Sequence, residues 1–154
     1  MYGKTFRILT AVHPDTVERI SSILAGHDLV IVQTMTAAEA ALDAEPIDLI
    51  FVGARFDESR MFDFLDFLRG HVEHRKIPIA AAVVIPTKMT PEALKGMSHA
   101  VKIYGASLFV NLNDFPDDPV SNNRVRLILE TLCAPAEAVA RIAANPEPGG
   151  KQTG

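Results

Sequence analysis

The run Asp48-Leu49-Ile50-Phe51-Val52-Gly53 is apolar without interruption after its first residue. Such a run is typical of a strand in a parallel sheet, because helices cover both faces of that sheet. Four further apolar runs rich in β-branched residues occur along the chain, and helical patterns separate all five. With Leu49–Val52 as the third strand, the other predicted strands are Arg7–Val12, Leu29–Val32, Ile79–Ile85 and Leu108–Val110.

A helical pattern follows each predicted strand, with apolar residues three and four positions apart. Thr36 precedes Glu39 by three residues, which is the spacing of a capping box. Thr90 is a good N-cap and is followed by Pro91 at an early helical position. In the last helix we expect Val125, Ile128, Leu129 and Leu132 on one buried stripe. The predicted helices are Asp15–Ala25, Thr36–Ala44, Met61–Arg69, Pro91–Tyr104 and Val120–Leu132.

Strands that alternate with helices predict a parallel sheet between two helical layers. Five strands favour the flavodoxin-like (βα)5 fold, an α/β three-layer sandwich with strand order 2-1-3-4-5. The functional crevice of this fold lies at the carboxyl ends of the strands, beside strands one and three. We expect one domain over residues 1–133. Residues 134–154 are rich in alanine, proline and glycine, and we expect a flexible tail or linker stub there.

The composition excludes several classes of protein. Hydrophobic residues make up 48% of the 154 residues and charged residues 22%, which is enough to bury a core. The net charge of −4 argues against non-specific nucleic-acid binding. The longest charge-free apolar stretch, Ile77–Thr87, is too short for a membrane helix, and the N-terminus does not look like a secretory signal. The one cysteine, Cys133, excludes an intramolecular disulfide and a cysteine-cluster metal site. We therefore expect a cytoplasmic protein.

Six short segments follow one another in an order and spacing that point to one family. They are Arg7-Ile8-Leu9, Thr36-Ala37-Ala38-Glu39-Ala40-Ala41-Leu42, Asp48-Leu49-Ile50, Phe64-Leu65-Asp66-Phe67-Leu68-Arg69, Ile77-Pro78-Ile79 and Gly105-Ala106-Ser107. Together they resemble the receiver domain of bacterial two-component response regulators. The resemblance implies a phosphorylation site at the strand ends. There, two acids and a phosphoacceptor aspartate hold Mg²⁺, and a hydroxyl residue and a lysine bind the phosphoryl oxygens.

Carried onto this sequence, these positions hold residues that lack the required chemistry. The acid pair falls on Val12 and His13, the phosphoacceptor on Gly53 and the lysine on Leu112. Glycine has no carboxylate, and valine and leucine replace neither an acid nor an ammonium group. The resemblance therefore predicts a pseudo-receiver, which keeps the fold but is not phosphorylated.

The hydroxyl position after the fourth strand has two candidates. Counting from Pro78 places it at Val83, and counting back from Gly105 suggests Thr87. We expect the vacated positions to line a pocket that is less charged than a receiver's and binds no Mg²⁺, because hard cations need several oxygen ligands. If that pocket held a small molecule, the protein would be a small-molecule-sensing flavodoxin-like domain.

Two acids near the crevice leave a second alternative open. Asp57 and Glu58 come soon after the third strand, where we expect a solvated acidic loop. We expect Asp15 to be the cap or first-turn acid of helix one. An atypical receiver would instead be phosphorylated on a displaced acid, Asp57 or Asp15. His13 could titrate near neutral pH or bind an anion, but we expect a hydrogen-bonded structural histidine.

No other pattern in the sequence indicates a metal, cofactor or catalytic site. His71 and His74 have a spacing that could hold a metal, but no third ligand is evident, and we expect an exposed polar connector. Neither a phosphate-binding glycine loop nor a flavin loop is present. No nucleophile stands beside a base, and we expect Cys133 to be a buried, inert thiol. We therefore expect neither an enzyme nor a cofactor.

Phe109 falls at the position of the family's switch aromatic residue on strand five. The family uses the face of helix four, strand five and helix five for partners, and aromatic, methionine and arginine residues are enriched at interfaces. We expect a signalling module that binds a histidine kinase, another regulator or a second copy of itself, but neither nucleic acid nor membrane. The predicted partner-binding residues are Met97, Val101, Tyr104, Arg124 and Arg126.

Overall fold

Five parallel strands form a single sheet in the order β2-β1-β3-β4-β5. This confirms the predicted α/β fold and its strand order. Each strand follows an apolar run of the sequence, and β3 and β4 are buried along their whole length. The strands are β1 (Arg7–Ala11), β2 (Asp28–Val32), β3 (Leu49–Gly53), β4 (Ile79–Val83) and β5 (Leu108–Asn111).

The computed structural model describes residues 4–86 and 88–133. The predicted tail, residues 134–154, and Thr87 lie outside the described residues, so the predicted domain boundary stays a prediction. Within the described ranges, every helix is too short or too polar to cross a membrane.

Within residues 4–86 and 88–133, five helices connect or follow the strands, and each overlaps its predicted range. A 3₁₀ turn at Pro14–Thr16 precedes the first helix, and a second one at Leu112–Asp114 follows β5. A further four-residue turn, Phe56–Ser59, follows β3. The helices are α1 (Val17–Ile23), α2 (Met35–Ala44), α3 (Met61–Arg69), α4 (Pro91–Ile103) and α5 (Pro119–Cys133).

Two hydrophobic clusters fill the space on either side of the sheet. On one side, strand residues such as Leu9 and Ile50 pack against α2, α3 and α4. On the other side, Ile8 and Phe51 pack against α1 and α5. The clusters take alternate residues of each strand because successive side chains point to opposite faces of a sheet. The three layers follow from this alternation.

The helix caps correct one prediction and confirm another. Thr34 has an extended backbone and its Oγ1 accepts a hydrogen bond of 3.1 Å from the Ala37 N–H. The capping box predicted at Thr36 is therefore wrong, because Thr36 already lies inside α2. Thr90 caps α4 as predicted, since its Oγ1 accepts a bond of 3.1 Å from the Ala93 N–H.

The last helix, α5, also differs in detail from the prediction. Asp118 precedes it and its Oδ1 accepts a hydrogen bond of 2.8 Å from the Ser121 N–H. This bond holds the pKa of the Asp118 carboxyl below its usual range. Val125 and Leu129 are buried as predicted, but Ile128 is 40% exposed. Ile128 therefore does not belong to the buried stripe.

Candidate functional site

The positions that the resemblance assigns to phosphorylation are packed together at the carboxyl end of the sheet. Gly53 is the last residue of β3, and a Cβ placed on it would lie 3.8 Å from both Val12 Cγ1 and Val84 Cγ2. Val12 and Leu112 are fully buried in one hydrophobic cluster. The prediction that these positions together line a pocket is therefore wrong for Val12 and Leu112, because neither side chain is accessible to solvent.

Of the two candidates for the hydroxyl position after β4, the structure describes only Val83. Val83 is the last residue of β4 and is buried, at the level of Asn111 in β5. Thr87 lies outside the described residues. A buried valine at the end of β4 offers no hydroxyl group to a phosphoryl oxygen.

His13 and Asp15 form the beginning of the 3₁₀ turn after β1. His13 Nδ1 accepts a hydrogen bond of 3.0 Å from the Asp15 N–H, and the His13 carbonyl accepts one of 2.8 Å from Thr16 Oγ1. His13 is therefore hydrogen-bonded, as predicted. The Asp15 side chain is 81% exposed and lies in this turn rather than in α1.

Two asparagines that the sequence analysis did not single out close the end of β5. Asn111 Oδ1 accepts hydrogen bonds from the Asn113 N–H (3.1 Å) and from Asn113 Nδ2 (2.9 Å). Asn113 Nδ2 also donates to the Ile85 carbonyl at 3.3 Å. These bonds tie the segment after β5 to the segment after β4. Asparagine after a strand is a turn signal that could have indicated the first of these bonds.

The turn after β3 has an unusual backbone. Asp57, Glu58 and Ser59 have φ angles of 47°, 56° and 65°, so three successive residues that are not glycine are left-handed. Each such residue costs about 1–2 kcal/mol relative to a right-handed one. The Asp57 side chain is only 21% exposed, and its Oδ2 accepts a hydrogen bond of 2.9 Å from the Met35 N–H. The prediction of a solvated acidic loop is therefore wrong for Asp57, although Glu58 is exposed.

A cavity of about 240 Å³ opens beside this turn, toward α3 and α4 rather than at Gly53. Of the vacated positions within the described residues, Val83 lines it, whereas Val12, Gly53 and Leu112 do not. Its walls are mainly apolar, and their polar side chains are those of Arg55 and Ser59.

One of the predicted partner-binding residues is buried, and another, the half-buried Arg126, is bonded to a neighbouring helix. Val101 belongs to α4, and its side chain is fully buried in the hydrophobic cluster on that side of the sheet. Arg126 Nε donates a hydrogen bond of 2.7 Å to the Ile23 carbonyl, and its Nη2 donates one of 3.1 Å to the Ser22 carbonyl. Because the last carbonyls of a helix lack partners within it, Arg126 satisfies the end of α1 and fastens α5 to it. The prediction is therefore wrong for the buried Val101, whereas for the half-buried Arg126 it stays a prediction.

Tyr104 is half-buried at the end of α4, where neighbours fix its ring. Phe62 meets the ring edge-on at a centroid distance of 5.1 Å, and the Arg69 guanidinium carbon lies 4.8 Å from the ring centroid. Arg69 Nη1 also donates to the Ile103 carbonyl at 3.4 Å, and the Ile103 side chain is 61% exposed. The sequence analysis missed Phe62, Arg69 and Ile103.

The remaining members of the predicted face lie around β5, which is an edge strand. Met97 and Phe109 are half-buried and pack against the hydrophobic cluster between the sheet and helices α2, α3 and α4. Arg124 is exposed. In a helix with 100° between residues, Arg124 and Ile128 lie on the flank opposite Arg126, which faces α1. We define the exposed Ile103, Arg124 and Ile128, together with the half-buried Tyr104 and Phe109, as the α4–β5–α5 face.

The two histidines after α3 belong to an aromatic cluster. His71 lies 4.3 Å from the Phe67 ring and 5.7 Å from the His74 ring, measured between centroids. His74 is buried, so the predicted exposed connector is wrong for that residue. Over residues 4–86 and 88–133, no three His, Cys, Asp or Glu side chains group in a way that could hold a metal ion.

No protein family and no curated protein matches the chain by sequence. Solved structures do match it. NtrX from Brucella abortus has a TM-score of 0.65 and 18% identity over 92% of this chain, which spans 29% of that protein. The signal receiver domain of a signal transduction histidine kinase from Syntrophus aciditrophicus has a TM-score of 0.63 and 16% identity, and the match covers 97% of this chain and 100% of that one.

A third similar structure is the receiver domain of a sensor histidine kinase from Pseudomonas aeruginosa, with a magnesium ion coordinated in its active-site cleft. Its TM-score is 0.63 and its identity 18%, over 84% of this chain and 98% of that one. At sequence identities this low, the similarity shows a shared fold and nothing more. The chain has the fold of response-regulator receiver domains.

Proposed function

We propose that the protein is a receiver-fold signalling module that binds a protein partner and is neither phosphorylated nor an enzyme. The observation that carries this proposal is the environment of Gly53. The resemblance places the phosphoacceptor there, yet the residue has no carboxylate, and Val12 and Val84 lie where a side chain would meet them. Glycine supplies no carboxylate, so this position has no group that could accept a phosphoryl group or bind its metal ion.

The surrounding positions support the same proposal. The magnesium-bound receiver of Pseudomonas aeruginosa holds its ion in the cleft. Here Val12 is fully buried, and His13 uses its Nδ1 to accept the Asp15 N–H. Leu112, at the lysine position, is fully buried as well. Because Mg²⁺ requires several oxygen ligands, this set of side chains does not suit it.

The alternative of a displaced phosphoacceptor has less support. Asp57 Oδ2 already accepts the Met35 N–H, and Arg60 Nη1 lies 3.8 Å from it. Phosphorylation of Asp57 would break this hydrogen bond at the beginning of α2. Asp15 is exposed on a turn and faces only His13, at 3.8 Å. Among the residues that the structure describes, neither acid lies with further carboxylates that would complete a metal site.

The α4–β5–α5 face is the surface that we assign to the partner. It presents the exposed Ile103 and Ile128 beside Tyr104, whose ring Phe62 and Arg69 hold in place. Rigid aromatic rings, exposed apolar groups and arginine are features of protein interfaces. The partner is a histidine kinase, another regulator or a second copy of this chain.

Titration calorimetry with Mg²⁺ tests the loss of phosphoryl chemistry. We expect no saturable heat at millimolar Mg²⁺ for the unmodified chain. The Asp57→Asn and Asp15→Asn variants are the matched controls, and both should behave like the unmodified chain. Saturable binding that either substitution abolishes would contradict the proposal and favour an atypical receiver.

A further inference from the structure

We propose that the cavity between the ends of β3 and β4 and helices α3 and α4 binds a small carboxylic acid with an apolar body. This inference goes beyond the proposed function, because neither partner binding nor phosphorylation requires an occupied cavity. Ligand sites in parallel α/β sheets lie at the carboxyl ends of the strands, and this cavity opens at that end.

The size of the cavity sets the size of its ligand. A volume of about 240 Å³ exceeds the roughly 150 Å³ of an engineered cavity that holds benzene. It therefore accommodates about one substituted ring, rather than a nucleotide or flavin. The walls include Met61, Phe62, Met89 and Met97. Methionine side chains adapt to the shape of an apolar ligand, and aromatic walls stack on it.

The charge at the cavity favours an anion. Arg55 lines it and is exposed, and within the described part of the chain its guanidinium forms no ion pair or hydrogen bond. Asp57 is close in sequence, but its carboxylate is bound to the Met35 N–H and near Arg60. None of the described residues that line the cavity is acidic. A free guanidinium beside an apolar wall matches the carboxylate of an otherwise apolar acid.

The left-handed turn places the two polar groups at the cavity. Arg55 precedes the turn and Ser59 ends it, and the Ser59 N–H donates to the Arg55 carbonyl at 3.4 Å. The φ of 65° at Ser59 belongs to the strained run described above. Strained backbone of this kind is concentrated at functional sites, where it holds side chains in a fixed geometry. The Ser59 hydroxyl supplies a second donor for the carboxylate.

Calorimetry with phenylacetate and its neutral analogue phenylacetamide tests the proposal. We expect saturable binding of phenylacetate and about tenfold weaker binding of phenylacetamide, because only the acid forms a charge-assisted bond with Arg55. Arg55→Gln should lower the affinity for phenylacetate about tenfold and leave that for phenylacetamide unchanged. Arg75→Gln, an exposed arginine outside the cavity, is the matched control and should change neither affinity.

A cavity-filling variant locates the site. Met97→Trp should abolish binding of both probes. Thermal unfolding checks that this variant is folded. If it is not, Met97→Phe is used instead. Inorganic phosphate should not bind. The proposal is overturned if phenylacetate shows no saturable binding, if the amide binds as tightly as the acid, if Arg55→Gln leaves phenylacetate affinity unchanged, or if phosphate binds more tightly than phenylacetate.

Discussion

The backbone N–H of Met35 donates a hydrogen bond of 2.9 Å to Oδ2 of Asp57, which joins the loop after β3 to the first residue of α2. The first N–H groups of a helix lack partners within it, and its N-terminus favours negative charge. Asp57 therefore provides a hydrogen-bond acceptor for the first N–H group of α2, although the two residues are 22 positions apart. The same contact anchors the first left-handed residue of the turn.

Removal of this anchor should destabilise the protein. Asp57→Ala should lower the free energy of unfolding by about 1–2 kcal/mol, because the Met35 N–H loses its acceptor. Asp57→Asn keeps an acceptor oxygen and should lose less. Urea unfolding followed by circular dichroism measures both. Equal stability of Asp57→Ala and the unmodified protein would show that the bond is not formed in solution.

A glycine within the turn should stabilise the protein. Glu58 is exposed with a φ of 56°, a conformation that costs most residues free energy but not glycine. Glu58→Gly should therefore raise the free energy of unfolding by about 0.5–1 kcal/mol in the same urea experiment. Glu92→Gly, in the first turn of α4, is the control and should lower it, because glycine is a poor helix former. A loss of stability in Glu58→Gly would argue against the left-handed turn.

The Cys133 thiol should react slowly with thiol reagents. Burial, with smaller contributions from the charges of Asp48 and Glu130, raises its pKa to about 12. Since only the thiolate reacts, alkylation by iodoacetamide at pH 8 should be on the order of a thousandfold slower than in guanidinium chloride. The rate should rise about tenfold per pH unit toward pH 11. Cys133 is half-buried rather than fully buried as predicted, and a rate at pH 8 equal to that of the unfolded chain would contradict its raised pKa.

The raised pKa of Cys133 also makes the free energy of unfolding depend on pH. The folded thiol ionises at a higher pH than the unfolded one, whose pKa is near 9.0. The stabilisation is therefore present below pH 9 and is lost as the pH rises toward 12.

Substitutions on the α4–β5–α5 face should weaken partner binding without unfolding the protein. Tyr104→Ala and Arg124→Glu should each weaken self-association, or binding to a histidine kinase or regulator, by about tenfold or more. Sedimentation velocity measures the first interaction and biolayer interferometry the others. Arg75→Glu is the surface control and should have no effect.

The variant Arg126→Glu distinguishes residues that hold α5 to α1 from residues that bind a partner. It should lower the free energy of unfolding by about 1–3 kcal/mol, because the bonds to the Ile23 and Ser22 carbonyls are lost. If Tyr104→Ala and Arg124→Glu leave every interaction intact, the partner surface lies elsewhere.

Local patterns were sufficient to predict most of the fold. The uninterrupted apolar run of β3 indicates a buried parallel strand, and α3 has the predicted bounds, Met61–Arg69, because its apolar spacing ends at Gly70. The sequence also identified which residues stand at the strand ends. It did not predict that Val12 and Val84 lie beside Gly53, because that depends on how side chains from different elements pack.

Contacts between distant residues could not be predicted from local patterns. His27 Nε2 lies 2.8 Å from Glu130 Oε2 in a mostly buried pair, and the two residues are 103 positions apart. The bonds of Arg126 to the end of α1 could not be predicted either, because the residues around an arginine do not indicate whether its side chain is exposed or binds another helix. The left-handed turn was missed because Asp57, Glu58 and Ser59 are not glycine, the residue that normally indicates positive φ.

The most direct test of the central claim is the intact mass of the protein after incubation with Mg²⁺ and acetyl phosphate. We predict no change in mass for the unmodified chain. Gly53→Asp should not gain a phosphoryl group either, because Val12 and Leu112 supply neither a metal ligand nor a cation beside the restored carboxylate. A stoichiometric gain of one phosphoryl group by the unmodified chain, lost in Asp57→Asn or Asp15→Asn, would contradict the account and identify an atypical receiver.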